Sequence, residues 1–184
     1  MSYDLGFTNL TTELRARTKN IKLLITDVDG VLTEGHVYLD HKQEAFKGFN
    51  ILDGLGTKLL LNNGIQVAII TGRTSSFVAQ RAEALGIPFV YQGCEDKQAA
   101  LADILEKTGL QRNQVAHIGD DLPDVTIMKQ VGFGIAVANA HPFVAKHADW
   151  QTSLQGGRGA FREAADMLLA SHGILDRVLN NYLP

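Results

Sequence analysis

The sequence predicts an α/β fold, a parallel sheet covered by helices on both faces. Short apolar runs at 21–26, 65–70 and 115–118 alternate with longer stretches of helical character. The runs are mostly apolar on consecutive residues rather than on every second one, as strands buried on both faces are. Glycines at 64, 86 and 109 close the intervening segments, and glycine is the usual helix stop. Alternating strand and helix is the pattern of a parallel sheet between helical layers.

Taken in order, 11–19 reads as a short helix and 21–26 as the first buried strand. Residues 36–39 and 44–49 pair as a hairpin around Asp40-His41-Lys42, the insertion covering about 34–50. Asp53 is placed to cap a helix that runs to Asn63 and stops at Gly64. The second strand, 65–70, ends at Thr71-Gly72-Arg73. A helix over 75–85, a short strand over 89–91 and a helix over 97–108 follow. The strand at 115–118 ends at Gly119-Asp120-Asp121, with a helix over 124–131 and a strand over 134–137 behind it. A long helix over 160–172 precedes an apolar tail, about 174–184. Nothing resembles a linker, so residues 1–184 are read as one domain with a Rossmann-like sheet.

Bulk composition excludes several classes. Hydrophobic residues make up 45% and charged residues 20%, ordinary for a globular chain. A formal charge of -3 without a basic cluster gives no footprint for nucleic acid. The apolar runs are far too short to span a membrane. Residues 1–20 are polar, with Asp4 and Glu13, and lack the apolar centre of a signal peptide. The single cysteine, Cys94, permits no internal disulfide. The expected setting is cytoplasmic, with neither nucleic acid nor membrane as partner.

The chemistry gathers at strand ends, the edge where open α/β sheets bind ligands. The first strand runs directly into Asp27-Val28-Asp29-Gly30-Val31. Two carboxylates so close raise each other's pKa unless a cation intervenes, and oxygen ligands of this kind suit Mg²⁺. Thr71 follows the second strand, Lys97 opens the helix after the third, and Asp120, Asp121 and Asp124 follow the fourth. A nucleophile, an acid, a hydroxyl, an ammonium and a second acidic cluster form a set suited to phosphoryl transfer, which needs positioning and charge neutralisation. A carboxylate nucleophile would pass through an aspartyl-phosphate.

This order of motifs resembles the haloacid dehalogenase superfamily of phosphotransferases. The resemblance rests on Asp27-Val28-Asp29-Gly30-Val31, Thr71-Gly72-Arg73, Lys97, and Gly119-Asp120-Asp121 with Asp124. It implies that Asp27 is the nucleophile and that Asp29 is the acid and then the base. It implies that Thr71 and Lys97 hold the phosphoryl oxygens. Asp27, Asp120 and the Asp29 backbone carbonyl would hold Mg²⁺, with Asp121 and Asp124 one shell further out. The gaps between motifs are too short for the superfamily's cap domains. Segments 47–56 and 156–163 extend the likeness to a capless group acting on the sugar acid 3-deoxy-D-manno-octulosonate 8-phosphate in lipopolysaccharide synthesis. That likeness implies a homotetramer built through the hairpins and a mobile C-terminal tail reaching a neighbour's site. Arg73 is the candidate for the substrate carboxylate, with Gly72, Asn50, Asp53, Arg158 and Arg162 as further candidate contacts.

Other readings weigh less. A calcium loop fails because the glycine comes too early and Tyr38 stands where a bidentate Glu belongs. A phosphoacceptor signalling domain ends on its lysine, whereas here Asp120 follows Lys97. A non-catalytic relative would lack one of the catalytic positions, and all are present. A nonulosonate 9-phosphate remains an alternative substrate. Asp120, Asp121 or Asp124 can each cap a helix, and His117 and Cys94 read as a packed residue and a bystander.

Overall fold

The computed structural model describes residues 10–41 and 44–184. In chain order the first half comprises α1 (Thr12–Thr18), β1 (Leu23–Thr26), β2 (Tyr38–Leu39), β3 (Glu44–Phe46), α2 (Ile51–Asn62), β4 (Gln66–Ile70), α3 (Ser76–Leu85) and β5 (Phe89–Tyr91). The second half comprises α4 (Lys97–Thr108), β6 (Val115–Gly119), α5 (Leu122–Met128), β7 (Phe133–Ala136), α6 (Pro142–His147), β8 (Trp150–Gln151), α7 (Ala160–Ser171) and α8 (Leu175–Asn180). Six strands form a parallel sheet in the order β5-β4-β1-β6-β7-β8. β2 and β3 pair antiparallel as a separate hairpin. Among the described residues only the hairpin and α2 stand between β1 and β4, and only α3 and β5 between β4 and α4, so no cap domain is present among them.

Side chains of β1 alternate between two helical layers. Leu23 and Ile25 join Ala68, Ile70, Leu101 and Ile104 under α4 and α5. Leu24 joins Leu60, Val67, Phe161 and Leu168 under α2, α3 and α7. Both layers are apolar and buried, which is why Leu23, Leu24 and Ile25 are apolar in succession. Thr26 pairs in register with Ile69 on one side and Ile118 on the other, so the ends of three strands lie level.

The structure departs from the sequence reading in several places. α2 starts at Ile51 because Asn50 caps it, its Oδ1 accepting from the Leu52 N–H at 2.9 Å. Asp53 therefore lies inside the first turn and caps nothing. α5 starts at Leu122, two residues early, because Asp121 is its cap and Pro123 fits its first turn. α6 and β8 are additional; each is too short to show a hydrophobic period. The hairpin strands are shorter than expected, and Lys42 of the expected turn lies outside the described residues, as do residues 1–9 of the polar N-terminal segment. The expected tail largely forms α8, with Leu175 and Val178 buried in the core beside α7. Among the described residues no helix is long and apolar enough to cross a membrane.

Phe161 is fully buried where α7 meets the sheet. Phe161→Ala should cost about 3–5 kcal/mol, seen in urea titration as a lower midpoint with an unchanged slope.

Candidate active site

Strand order reverses at β1, which has β4 on one side and β6 on the other. Helices leave such a point in opposite directions and open a crevice at the strand ends. Asp27 directly follows β1, and its N–H donates to the Ile118 carbonyl at 3.1 Å, extending the ladder by one residue. By alternation its side chain follows Leu23 and Ile25 toward α4 and α5. Lys97 waits there as the first residue of α4, with Nζ 3.1 Å from Asp27 Oδ1 and 2.7 Å from Asp124 Oδ1. Asp96 caps α4, accepting from the Gln98 N–H. Lys97 thus opens the helix while its side chain turns back into the crevice.

Asp124 organises the loop after β6. Its Oδ2 accepts the N–H groups of Asp120 at 3.0 Å and Asp121 at 3.2 Å. Its Oδ1 also faces His117 Nε2, at 3.0 Å, from the buried middle of β6. Asp120 turns toward Gly30, whose φ of +95° and missing Cβ make room for it; a Cβ there would fall 2.1 Å from Asp120 Oδ2. Asp29 sits at the mouth, its Oδ1 accepting from Lys47 Nζ and its Oδ2 3.7 Å from Arg73 Nε. Thr71 is buried behind β4, its N–H donating to the Tyr91 carbonyl. Asp27, Asp29, Thr71, Arg73, Lys97 and Asp120 line one hollow of about 390 Å³, open to solvent.

Burial and crowding set the charges. Asp27 is raised from 3.8 to about 6, by burial first and by Asp124 second, with Lys97 opposing. Asp120 is raised to about 8, by burial and then by Asp124, Asp27 and Asp121. Burial would raise Asp124 as well, but its bonds to His117 and Lys97 hold it well below the usual carboxylate range. Lys97 loses by burial and gains more from Asp124 and Asp27, so it stays charged.

One ammonium does not neutralise this group. Asp27, Asp120 and Asp124 each offer an oxygen within 4.8 Å of the others. Asp120 Oδ1 is buried without a hydrogen-bond donor among the described residues. So is Asp27 Oδ1, which Lys97 approaches in distance but not in hydrogen-bond direction. Hard carboxylate oxygens turned inward with no donor fit a divalent cation of the Mg²⁺ type. Asp124, read from sequence as an outer residue, reaches the cluster itself, whereas Asp121 is the helix cap, its Oδ1 accepting from the Leu122 N–H.

Four candidate contacts lie elsewhere. Asp53 is buried between α2 and α7, where its Oδ1 accepts the Arg162 N–H. Arg162 pairs with Asp166 one turn along α7 at 2.9 Å. Neither lines the hollow. Asn50 donates from Nδ2 to the Gly157 carbonyl, and Arg158 pairs with Glu34 at 3.2 Å. Asn50, Gly157 and Glu34 edge an adjoining depression beside the hairpin. Sequence reasoning missed Lys47, because a lysine leaving a hairpin looks like any surface lysine. His117 carried a faint signal, an imidazole within an apolar strand.

Comparison with known proteins agrees with this geometry. Residues 89–159 match the model of a family described as haloacid dehalogenase-like hydrolase. The 3-deoxy-D-manno-octulosonate 8-phosphate phosphatase of Escherichia coli strain K12 is 46% identical over 91% of this chain and 89% of its own length. The chain belongs to the haloacid dehalogenase-like hydrolases and, within them, to the family of 3-deoxy-D-manno-octulosonate 8-phosphate phosphatases. The crystal structure of the Moraxella catarrhalis phosphatase, in complex with magnesium ion, phosphate ion and a KDO molecule, superposes with a TM-score of 0.91 at 38% identity, covering 94% of this chain and 99% of that one. The cobalt-bound phosphatase of Haemophilus influenzae gives 0.85 at 42% identity, covering 86% and 93%.

The carboxyl shifts have a measurable consequence. Folded and ion-free, Asp27 and Asp120 keep protons that the unfolded chain releases near 3.8. The stability this gives is complete below that value and is lost as pH rises through about 6 and then about 8. A divalent cation competes with those protons, so its binding strengthens over the same window. The gain in Tm on adding Mg²⁺ should be larger at pH 8 than at pH 6; thermal unfolding with and without chelator checks it.

Proposed function

We propose that this chain is a Mg²⁺-dependent phosphatase that converts 3-deoxy-D-manno-octulosonate 8-phosphate to the free sugar acid and phosphate in lipopolysaccharide synthesis. The observation that carries this is the Asp27 carboxylate, presented at a strand end between Lys97, Asp120 and Thr71 in one open hollow. The names of the relatives, and the magnesium, phosphate and sugar acid bound by the Moraxella protein, support the substrate.

Asp27 attacks phosphorus with a carboxylate oxygen, forming the aspartyl-phosphate as the bond to the sugar oxygen breaks. Asp29 gives its proton to that departing oxygen. Asp29 then takes a proton from water, which attacks the aspartyl-phosphate and releases phosphate, restoring Asp27. The Thr71 hydroxyl and the Lys97 ammonium hold the phosphoryl oxygens throughout. Mg²⁺, when bound, supplies neutralising charge between nucleophile and phosphoryl group; Asp27, Asp120 and the Asp29 carbonyl would hold it, with Asp124 and Asp121 beside them.

Arg73, half exposed on the rim beside Thr71, suits the sugar carboxylate, and Gly72 leaves room beside it. The open mouth calls for a cover. Exposed Val37, Leu39, Tyr38 and Phe46 on the hairpin support a homotetramer in which neighbours supply it. The free thiol of Cys94 suits the reducing cytoplasm. All 184 residues act as one catalytic domain in this reading.

Asp27→Asn should lower kcat by at least about 10³-fold while the fold is kept; substantial turnover in that variant would remove the nucleophile assignment. Chelation should stop the reaction and added Mg²⁺ restore it. Specificity constants for octulosonate 8-phosphate, nonulosonate 9-phosphates and simple sugar phosphates, measured side by side, decide the substrate. The octulosonate should lead, and a nonulosonate in first place would reassign it.

A further inference from the structure

The residues of the hairpin mostly face water; Leu39 is 70% exposed, and Tyr38 stacks on Phe46 at 4.4 Å between ring centres on the outside. Lys47, which leaves the hairpin after β3, does the opposite. Its side chain is 1% exposed, and its Nζ donates to Asp29 Oδ1. A lysine has the reach to put its ammonium in water, and burying that charge is unfavourable unless an acceptor compensates. One such acceptor is the second carboxylate of the Asp27-Val28-Asp29 motif.

The two oxygens of Asp29 are thereby made unequal. Oδ1 is anchored to Lys47. Oδ2 is buried against the protein and has no hydrogen-bond donor among the described residues, with Arg73 Nε too far at 3.7 Å. Asp29 lines the hollow that also holds Asp27 and Thr71. A carboxylate tied at one oxygen has its other oxygen fixed in direction; untied, it turns about both side-chain torsions. Proton transfer to a departing oxygen is sensitive to this, since misplacement by about 1 Å costs on the order of 10²-fold.

We infer that Lys47 is the positioning residue of the proton-transfer step, anchoring Asp29 Oδ1 and so fixing the whole carboxyl group at the edge of the hollow where the leaving oxygen of the substrate departs. It also ties the hairpin to the catalytic loop, so a movement of the hairpin is felt at Asp29. This inference rests on the reading of Asp29 as the acid given above.

The test compares leaving groups. A sugar alkoxide needs a proton as its bond to phosphorus breaks, whereas p-nitrophenolate leaves as a stable anion. The ratio kcat/KM covers only the steps up to that departure, so the later hydrolysis does not enter. Lys47→Met should lower kcat/KM for the sugar-acid 8-phosphate by about 10²-fold and for p-nitrophenyl phosphate by no more than about fivefold. Lys47→Arg should recover the sugar phosphate to within about tenfold. Lys47→Gln, whose uncharged amide donor has a shorter reach, takes the place of Lys47→Met should the latter not fold, with a smaller split in the same direction expected. Asp29→Asn is the reference and should show the larger split. If Asp29→Asn splits the substrates and the Lys47 variants lose both equally, or lose neither, Lys47 is no more than a tether. If Asp29→Asn itself loses both equally, the acid assignment falls, and the role of Lys47 with it.

Discussion

Everything at the strand ends answers to one electrostatic constraint: three carboxylates converge in a buried crevice around a single ammonium. Asp27, Asp120 and Asp124 bring their oxygens within 4.8 Å of one another, and Lys97 bonds directly to only one of them while pairing with a second. Left alone, such a group would take up protons, which is the meaning of the raised Asp27 and Asp120. The fold divides the burden. Asp124 is stabilised as an anion by Lys97, His117 and two backbone N–H groups, and so fixes the loop. Asp27 and Asp120 keep oxygens turned inward without a donor. A cation and a phosphoryl group complete a balance that the protein leaves open.

The rest of the molecule holds that unstable arrangement in place. The dry sheet beneath keeps the ends of β1, β4 and β6 level. Gly30 accommodates Asp120 at a distance no side chain would allow. On its other flank the same loop meets Gly156, whose missing Cβ would fall 1.6 Å from the Gly30 carbonyl oxygen. The Gly157 N–H then donates to the Val31 carbonyl at 2.8 Å. The glycine-rich segment before α7 is thus packed backbone to backbone against the catalytic loop. α7 in turn is bound to α2 through Asp53 and the Arg162 N–H. A residue expected near the sugar therefore serves to join two helices that brace the site.

Legibility in the sequence followed the range of the forces involved. Asp27, Thr71, Lys97 and Asp120 stood out because each ends an apolar run or opens the helix after one, and topology brings such positions to one edge whatever the loops do. Asn50 and Asp53 were harder. Both are good helix caps, and only the packing of α2 decides which residue caps it and which is buried. Arg162 and Arg158 looked like anion binders, but each has a carboxylate near at hand, Asp166 and Glu34 respectively. α6 and β8 left no trace because six and two residues are too few for a period to appear.

By itself the sequence determined the layered parallel sheet, the strand ends that bear the chemistry, and the want of room for a cap. These depend on local pattern and spacing, which the chain carries along its own length. Only the tertiary structure decided that Asp124 belongs with Asp27 and Asp120, that Asp121 caps a helix, and that Lys47 turns inward to Asp29. Those outcomes depend on which charges are taken out of water together, and that is settled by contacts between elements far apart in the chain.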